Sequence, residues 1–292
     1  MKTIGMIGIG MMGHGIASNI VKHGHSMILF EHPGNQPLND LIEAGARTTP
    51  SLKALADAAD VIILCVTGTP EVEGILFRED GLLQSIRPGT LIIDCSTALP
   101  SSTRRVALEA EKAGAKFIDA PMTRTPKEAA QGRLNLTVGG DRETVEQARP
   151  LLQCYAENIT YAGSVGSGHQ LKLVHNFVSL GFSAVLAEAA ACAQRAGIPA
   201  EVFLEVVGQG GGDSVVLNRF RPFLESQDHT AFRFTLKNAL KDMSYYTTMA
   251  REAGASHDMA ESIRHAYEQA THAADPKATV PDLIGILADS GH

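Results

Sequence analysis

Residues 3–25 read TIGMIGIGMMGHGIASNIVKHGH. A short apolar run leads into Gly8, Gly10 and Gly13, and a helical pattern follows. In a strand–turn–helix setting the first glycine permits a tight turn and the second lets the backbone approach a pyrophosphate. The third lets helix and strand pack closely. The helix N-terminus then offers unpaired N–H groups and a partial positive charge to the phosphates. The next apolar run, SMILFE (26–31), closes on Glu31, 18 residues past Gly13. In such units an acid at that distance meets the adenosine ribose. The stretch therefore predicts a dinucleotide site formed by Gly8, Gly10, Met11, Met12, Gly13 and Glu31. A carboxylate accepts a hydrogen bond from a 2′-hydroxyl but repels a 2′-phosphate. A like-charge pair at about 4 Å costs up to about 4 kcal/mol at an effective dielectric near 20. His32, and no arginine, follows Glu31, so NAD is expected over NADP.

Outward from this unit, strand and helix signals alternate. VIILCV (61–66), TLIID (90–94) and KFIDAP (116–121) are apolar runs separated by helical stretches such as SSTRRVALEAEKAG. Such runs predict a parallel sheet buried on both faces. Val66, at the end of its run, is placed beside the cofactor. LNLTVGGD (134–141) and NITYAG (158–163) read as further strands around a helix at 142–154. After about residue 165 the strands stop. A stretch of about 28 residues, apolar nearly all round, predicts a helix near 42 Å long. Helical patterns continue over 200–207, 214–225, 234–253, 256–273 and 281–289. The expected organisation is an α/β dinucleotide-binding domain over 1–163 and an all-α domain over 164–292. A long interdomain helix joins them, with a hinge at Gly163–Gly168.

Composition narrows the function classes. The 292 residues are 44% hydrophobic and 20% charged, with a formal net charge of -7 and no run of like charge. Neither a nucleic-acid surface nor an anionic membrane surface is expected as a partner. Cys65, Cys95, Cys154 and Cys192 are far apart and fit no metal spacing, so they are read as reduced thiols of a cytoplasmic protein and no metal is expected. No run of about 18 apolar residues predicts a transmembrane helix. The apolar N-terminal stretch is cut by glycines and is not read as a signal peptide.

GSGHQLKLVHN (166–176) resembles the Gly-x-Gly-x-x-x-Lys-x-x-x-Asn segment of the β-hydroxyacid dehydrogenases. That family includes 3-hydroxyisobutyrate dehydrogenase and tartronate semialdehyde reductase. The glycine-rich N-terminus, DCSTALP (94–100) and LKNALKDM (236–243) match further family segments in the same order. The resemblance implies a Rossmann domain followed by a helical substrate and oligomerisation domain. It also implies a homodimer or homotetramer, and a small anionic hydroxy acid or semialdehyde as substrate. It makes Lys172 the general acid–base. Lys172 and Asn176 are four residues apart, hence on one helical face. A neutral lysine can take the hydroxyl proton as hydride leaves, and its ammonium form can return it. Desolvation and a second cation, Lys241, would lower its pKa. Asn176 and Lys241 are expected at the substrate, and Lys241 also at the cofactor. The alternatives are a helix–helix contact for Asn176 and a pairing with Asp242 for Lys241. Ser96 and Thr97 either line the nicotinamide and substrate or cap the helix starting near Ser101. His169 faces the hinge without an assigned role.

One segment departs from the family. The common loop Asp-Ala-Pro-Val-Ser-Gly-Gly becomes DAPMTRT (119–125), with Thr123, Arg124 and Thr125 replacing Ser-Gly-Gly. A Gly-Arg-Thr form occurs in the branch resembling 3-sulfolactaldehyde reductase. Arg124 is expected to clamp the substrate's anionic head, with Thr123 and Thr125 as hydroxyl donors; the alternative is that it caps a carbonyl or pairs with a nearby acid. Two other activities would fit the architecture, an imine reductase and a non-catalytic dinucleotide-binding protein. Lys172 argues against both.

Overall fold

The computed structural model describes residues 2–289. The chain divides into two compact units, Met1–Lys172 and Leu173–His292. In the first unit, strands β1 (Thr3–Ile7), β2 (Ser26–Phe30), β3 (Arg47–Thr49), β4 (Val61–Leu64), β5 (Leu91–Asp94) and β6 (Lys116–Asp119) lie in the order β3-β2-β1-β4-β5-β6. All are parallel. The intervening helices are α1 (Met11–Lys22), α2 (Asn39–Glu43), α3 (Leu52–Ala58), α4 (Thr69–Phe77) and α5 (Pro100–Lys112). Successive side chains of each strand leave on opposite faces. Ile4, Met6, Ile63, Ile93 and Ile118 thus enter one core layer, and Ile7, Ile62, Leu64, Ile92 and Phe117 the other. This two-sided burial is why the strands read as unbroken apolar runs.

The sheet continues through β7 (Met122–Thr123), α6 (Pro126–Ala130), β8 (Leu134–Gly139), α7 (Arg142–Leu152) and β9 (Ala156–Gly163). Here the sheet turns from parallel to mixed. β8 runs antiparallel to both β6 and β7, and β9 is parallel to β8. A parallel return needs a crossover of a dozen or more residues, usually helical. Only residues 124–133 separate β7 from β8, short of that length.

α8 (Ser167–Arg195) is a single helix of 29 residues. Its length and composition would also suit a membrane crossing, with a mean hydropathy of 1.4 over its most apolar window, although no such helix was expected. Half of that stretch is buried inside the structure.

In the second unit, α9 (Ala200–Gly208), α10 (Val215–Ser226), α11 (Leu236–Glu252), α12 (Asp258–Ala273) and α13 (Leu283–Asp289) follow. Leu180, Ala187, Leu217, Phe220, Met243 and Tyr267 form the centre of their core. The Tyr267 hydroxyl, fully buried, donates to the Leu180 carbonyl at 2.8 Å.

Candidate active site

The glycine turn has the geometry its sequence predicts. Gly8 sits at φ 90°, and a Cβ there would lie 2.3 Å from the Cys65 carbonyl oxygen. At Gly13 a Cβ would lie 2.0 Å from the Gly8 oxygen. Gly10 differs, because nothing lies within 4 Å of where its Cβ would be. It is the N-cap of α1 with no side-chain cap, and no acid occupies the first turn. The α1 amides thus face open space that a pyrophosphate fits. Met11 is exposed and Met12 half-buried beside them.

Glu31 lies one residue past β2, and its N–H donates to the Thr49 carbonyl at 2.9 Å. With His32, Asn35, Gln36 and Leu38 it lines a surface hollow. The Asn35 side-chain oxygen accepts from the Ile9 N–H at 3.2 Å, which ties this hollow to the glycine turn. These residues fit a dinucleotide bound across the two.

The strand ends hold a buried polar cluster. Asp94 and Asp119 are register partners at the ends of β5 and β6. The Asp119 carboxylate accepts from the Gly166 and His169 N–H groups, each at 2.8 Å. His169, fully buried, stands between the two acids. Its Nε2 lies 3.9 Å from Asp94 and its Nδ1 3.7 Å from Asp119. Nε2 donates to the Ser96 carbonyl at 3.1 Å, and Nδ1 meets the Thr103 hydroxyl at 2.8 Å. Asp94 Oδ2 has no hydrogen-bond partner, and burial pushes the Asp94 carboxyl above its ordinary range. The cluster fixes the first turn of α8 against the loop that carries Ser96, and Lys172 follows in the next turn. The Ser96 hydroxyl in turn accepts from the Val66 N–H at 3.1 Å. α5 starts at Pro100 with Leu99 as N-cap and no side-chain cap, so Ser96 and Thr97 do not cap it. Thr97 is half-buried just beyond.

The 123–125 loop is held by acids. The Arg124 guanidinium pairs with the Glu157 carboxylate and donates to the Arg133 carbonyl. This arrangement, a carbonyl and an acid, matches the alternative reading of Arg124, and both bonds are made by Nη1. The Arg124 hydrogen bond holds the Glu157 carboxyl below its ordinary range. The Thr125 N–H donates to Glu128 at 3.0 Å and its hydroxyl to the same carboxylate at 2.5 Å, a capping box opening α6. Thr123 is half-buried on β7.

Lys172 is half-buried, in the first turns of α8. Asn176 is buried one turn further along the same helix and donates to Asp242 Oδ2 at 2.6 Å. Lys241 Nζ lies 2.8 Å from Asp242 Oδ1 and 5.1 Å from the Tyr245 ring centre. In the helical unit, therefore, one buried carboxylate engages both Asn176 and Lys241.

Two family models match. One, described as the NAD binding domain of 6-phosphogluconate dehydrogenase, covers residues 3–163. The other, described as NAD-binding of NADP-dependent 3-hydroxyisobutyrate dehydrogenase, covers 166–287. The chain belongs to the β-hydroxyacid dehydrogenase family. β-Hydroxyacid dehydrogenases are NAD(P)-dependent oxidoreductases acting on CH–OH groups. Among relatives in the family, an NAD-dependent L-serine dehydrogenase of Pseudomonas aeruginosa is 35% identical over 76% of this chain and 74% of its own length. The 3-sulfolactaldehyde reductase of Escherichia coli is 29% identical over 92% of this chain and 90% of its own. A Mycobacterium tuberculosis 3-hydroxyisobutyrate dehydrogenase, solved with L-serine, is 26% identical. It superposes with a TM-score of 0.85 over 98% of this chain and 99% of that one.

Proposed function

We propose that this β-hydroxyacid dehydrogenase interconverts a small anionic 3-hydroxy acid and its semialdehyde with NAD(H), using Lys172 as general acid–base. The observation that carries the reading is Lys172 directly after a helical turn that Asp119 and His169 pin to the strand ends. When bound, the nicotinamide takes up or supplies the hydride. In oxidation, neutral Lys172 Nζ accepts the proton of the substrate hydroxyl. In reduction, its ammonium form returns that proton to the developing alkoxide. Ser96 and Thr97 line the reacting end, Val66 borders the cofactor, and the Thr123–Thr125 loop receives the anionic head. Asn176 and Lys241 are assigned to substrate binding as well. Imine reduction and a non-catalytic role are disfavoured because both are associated with loss of this lysine.

The test is NADH oxidation over a panel of semialdehydes with carboxylate, sulfonate and phosphonate heads. NAD⁺ reduction with L-serine and 3-hydroxyisobutyrate covers the other direction, since relatives carry those names. No turnover on any of them would sink the proposal.

The choice of NAD over NADP rests on Glu31. The expected result is a higher kcat/KM with NAD(H) at saturating substrate; equal or better use of NADP(H) would refute it. We place the enzyme in the cytoplasm on the four free cysteines. A homodimer or homotetramer is proposed from α8, where Val174, Val178 and Val185 are 43%, 65% and 58% exposed along one helical face. Sedimentation of Val178→Glu is expected to show a shift toward monomer, and an unchanged assembly would exclude this face.

A further inference from the structure

Arg124 and Gln227 are the two non-glycine residues with positive φ among the described residues. Arg124 stands at φ 81°, where a side chain with a Cβ is disfavoured about tenfold or more. Something must hold it there. Its guanidinium is bonded to Glu157 and to the Arg133 carbonyl. Glu157 is the extra residue of β9 where the register with β8 shifts, since Leu134 pairs with Ala156 and Asn135 with Asn158. A bulge of this kind re-aims a side chain, and here the carboxylate meets Arg124 with Arg133 3.6 Å away. On the far side of Arg124, the Glu128 capping box fixes Thr125. Asn19 of α1 then donates to the Ala129 and Ala130 carbonyls, at 3.0 and 3.2 Å, anchoring the end of α6.

We propose that Arg124 is a positioning residue, a tether that with Glu157 holds the substrate loop in its left-handed conformation, and not a clamp on the substrate's anion. The inference rests on the reading of residues 123–125 as the substrate loop. Thr123 and the loop backbone then meet the anionic head. Glu157 becomes a determinant of substrate affinity without touching substrate.

Glycine adopts this backbone conformation without help, which separates tether from clamp. The assay is KM for the best carboxylate-headed semialdehyde of the panel, with the folded state checked by circular dichroism. Arg124→Ala keeps the Cβ and loses the tether, so KM is expected to rise about tenfold. Arg124→Gly is expected to be several-fold milder. Glu157→Ala should raise KM about as much as Arg124→Ala in the natural background, and much less when combined with Arg124→Gly. Equal losses for Arg124→Gly and Arg124→Ala would establish a clamp and overturn the tether. So would a neutral Glu157→Ala in an enzyme whose KM responds to Thr123→Val. If neither Thr123→Val nor any variant at 124 or 157 moves KM, the loop does not meet the substrate and the underlying reading falls as well.

Discussion

Lys172→Ala is expected to lose at least about a hundredfold in kcat, the ordinary size of one acid–base group. The affinity for NADH should stay near that of the natural enzyme. Gly8, Gly10, Gly13 and Glu31, the residues proposed to hold the dinucleotide, are far from Lys172 in sequence and belong to other elements. The two readouts are single-turnover rate and a fluorescence titration of NADH. A variant that is folded by circular dichroism and turns over at near-normal rate would remove lysine from the mechanism. Addition of a small primary amine is expected to restore part of the lost rate, because only the proton carrier is missing.

Asp119→Ala is expected to be the most destabilising single change in the nucleotide-binding unit, by about 3–5 kcal/mol. The side chain is fully buried and accepts from two backbone amides that have no other route to a partner. Its loss orphans both donors and leaves His169 facing Asp94 alone. Close packing allows no replacement by rearrangement. A Cβ on Gly168 would lie 2.7 Å from Asp119 Oδ2, and one on Gly139 2.6 Å from Oδ1. Asp119→Asn keeps one acceptor, and a smaller loss of about 2 kcal/mol is expected. Urea unfolding followed by far-ultraviolet circular dichroism measures both. A midpoint for Asp119→Ala equal to that of the natural protein would show that this carboxylate does not hold the cluster together.

The features visible in the sequence were those written locally. The glycine spacing, the apolar runs of β1, β4 and β5, and the four-residue step from Lys172 to Asn176 are all contained within a few turns of chain. β3 and β7 escaped because three and two residues with no apolar run carry no period to read. The antiparallel course of β8 depends on the short connection over residues 124–133. The strand-end cluster depends on cross-strand register. TLIID and KFID each end in aspartate, and that repeated ending is the signal that could have flagged the pair. Nothing local, however, says that position 94 lies beside 119, or that His169 comes between them. Arg124 was visible as an oddity, but its partner Glu157 is 33 residues on and is aimed by a bulge that no pattern announces.

α8 is one unbroken helix, yet its residues up to Lys172 belong to one compact unit and those from Leu173 to the other. Amide exchange reports the opening of cooperative units, not of helices as drawn. The His169 amide is bonded to Asp119, so it can exchange only when β6 lets go. The amides around Leu180, whose carbonyl holds the Tyr267 hydroxyl, exchange when the helical core opens. Deuterium uptake along this helix should therefore show a step near residue 172, with two protection levels that respond separately. Bound NADH is expected to slow exchange at 166–172 more than at 180–190.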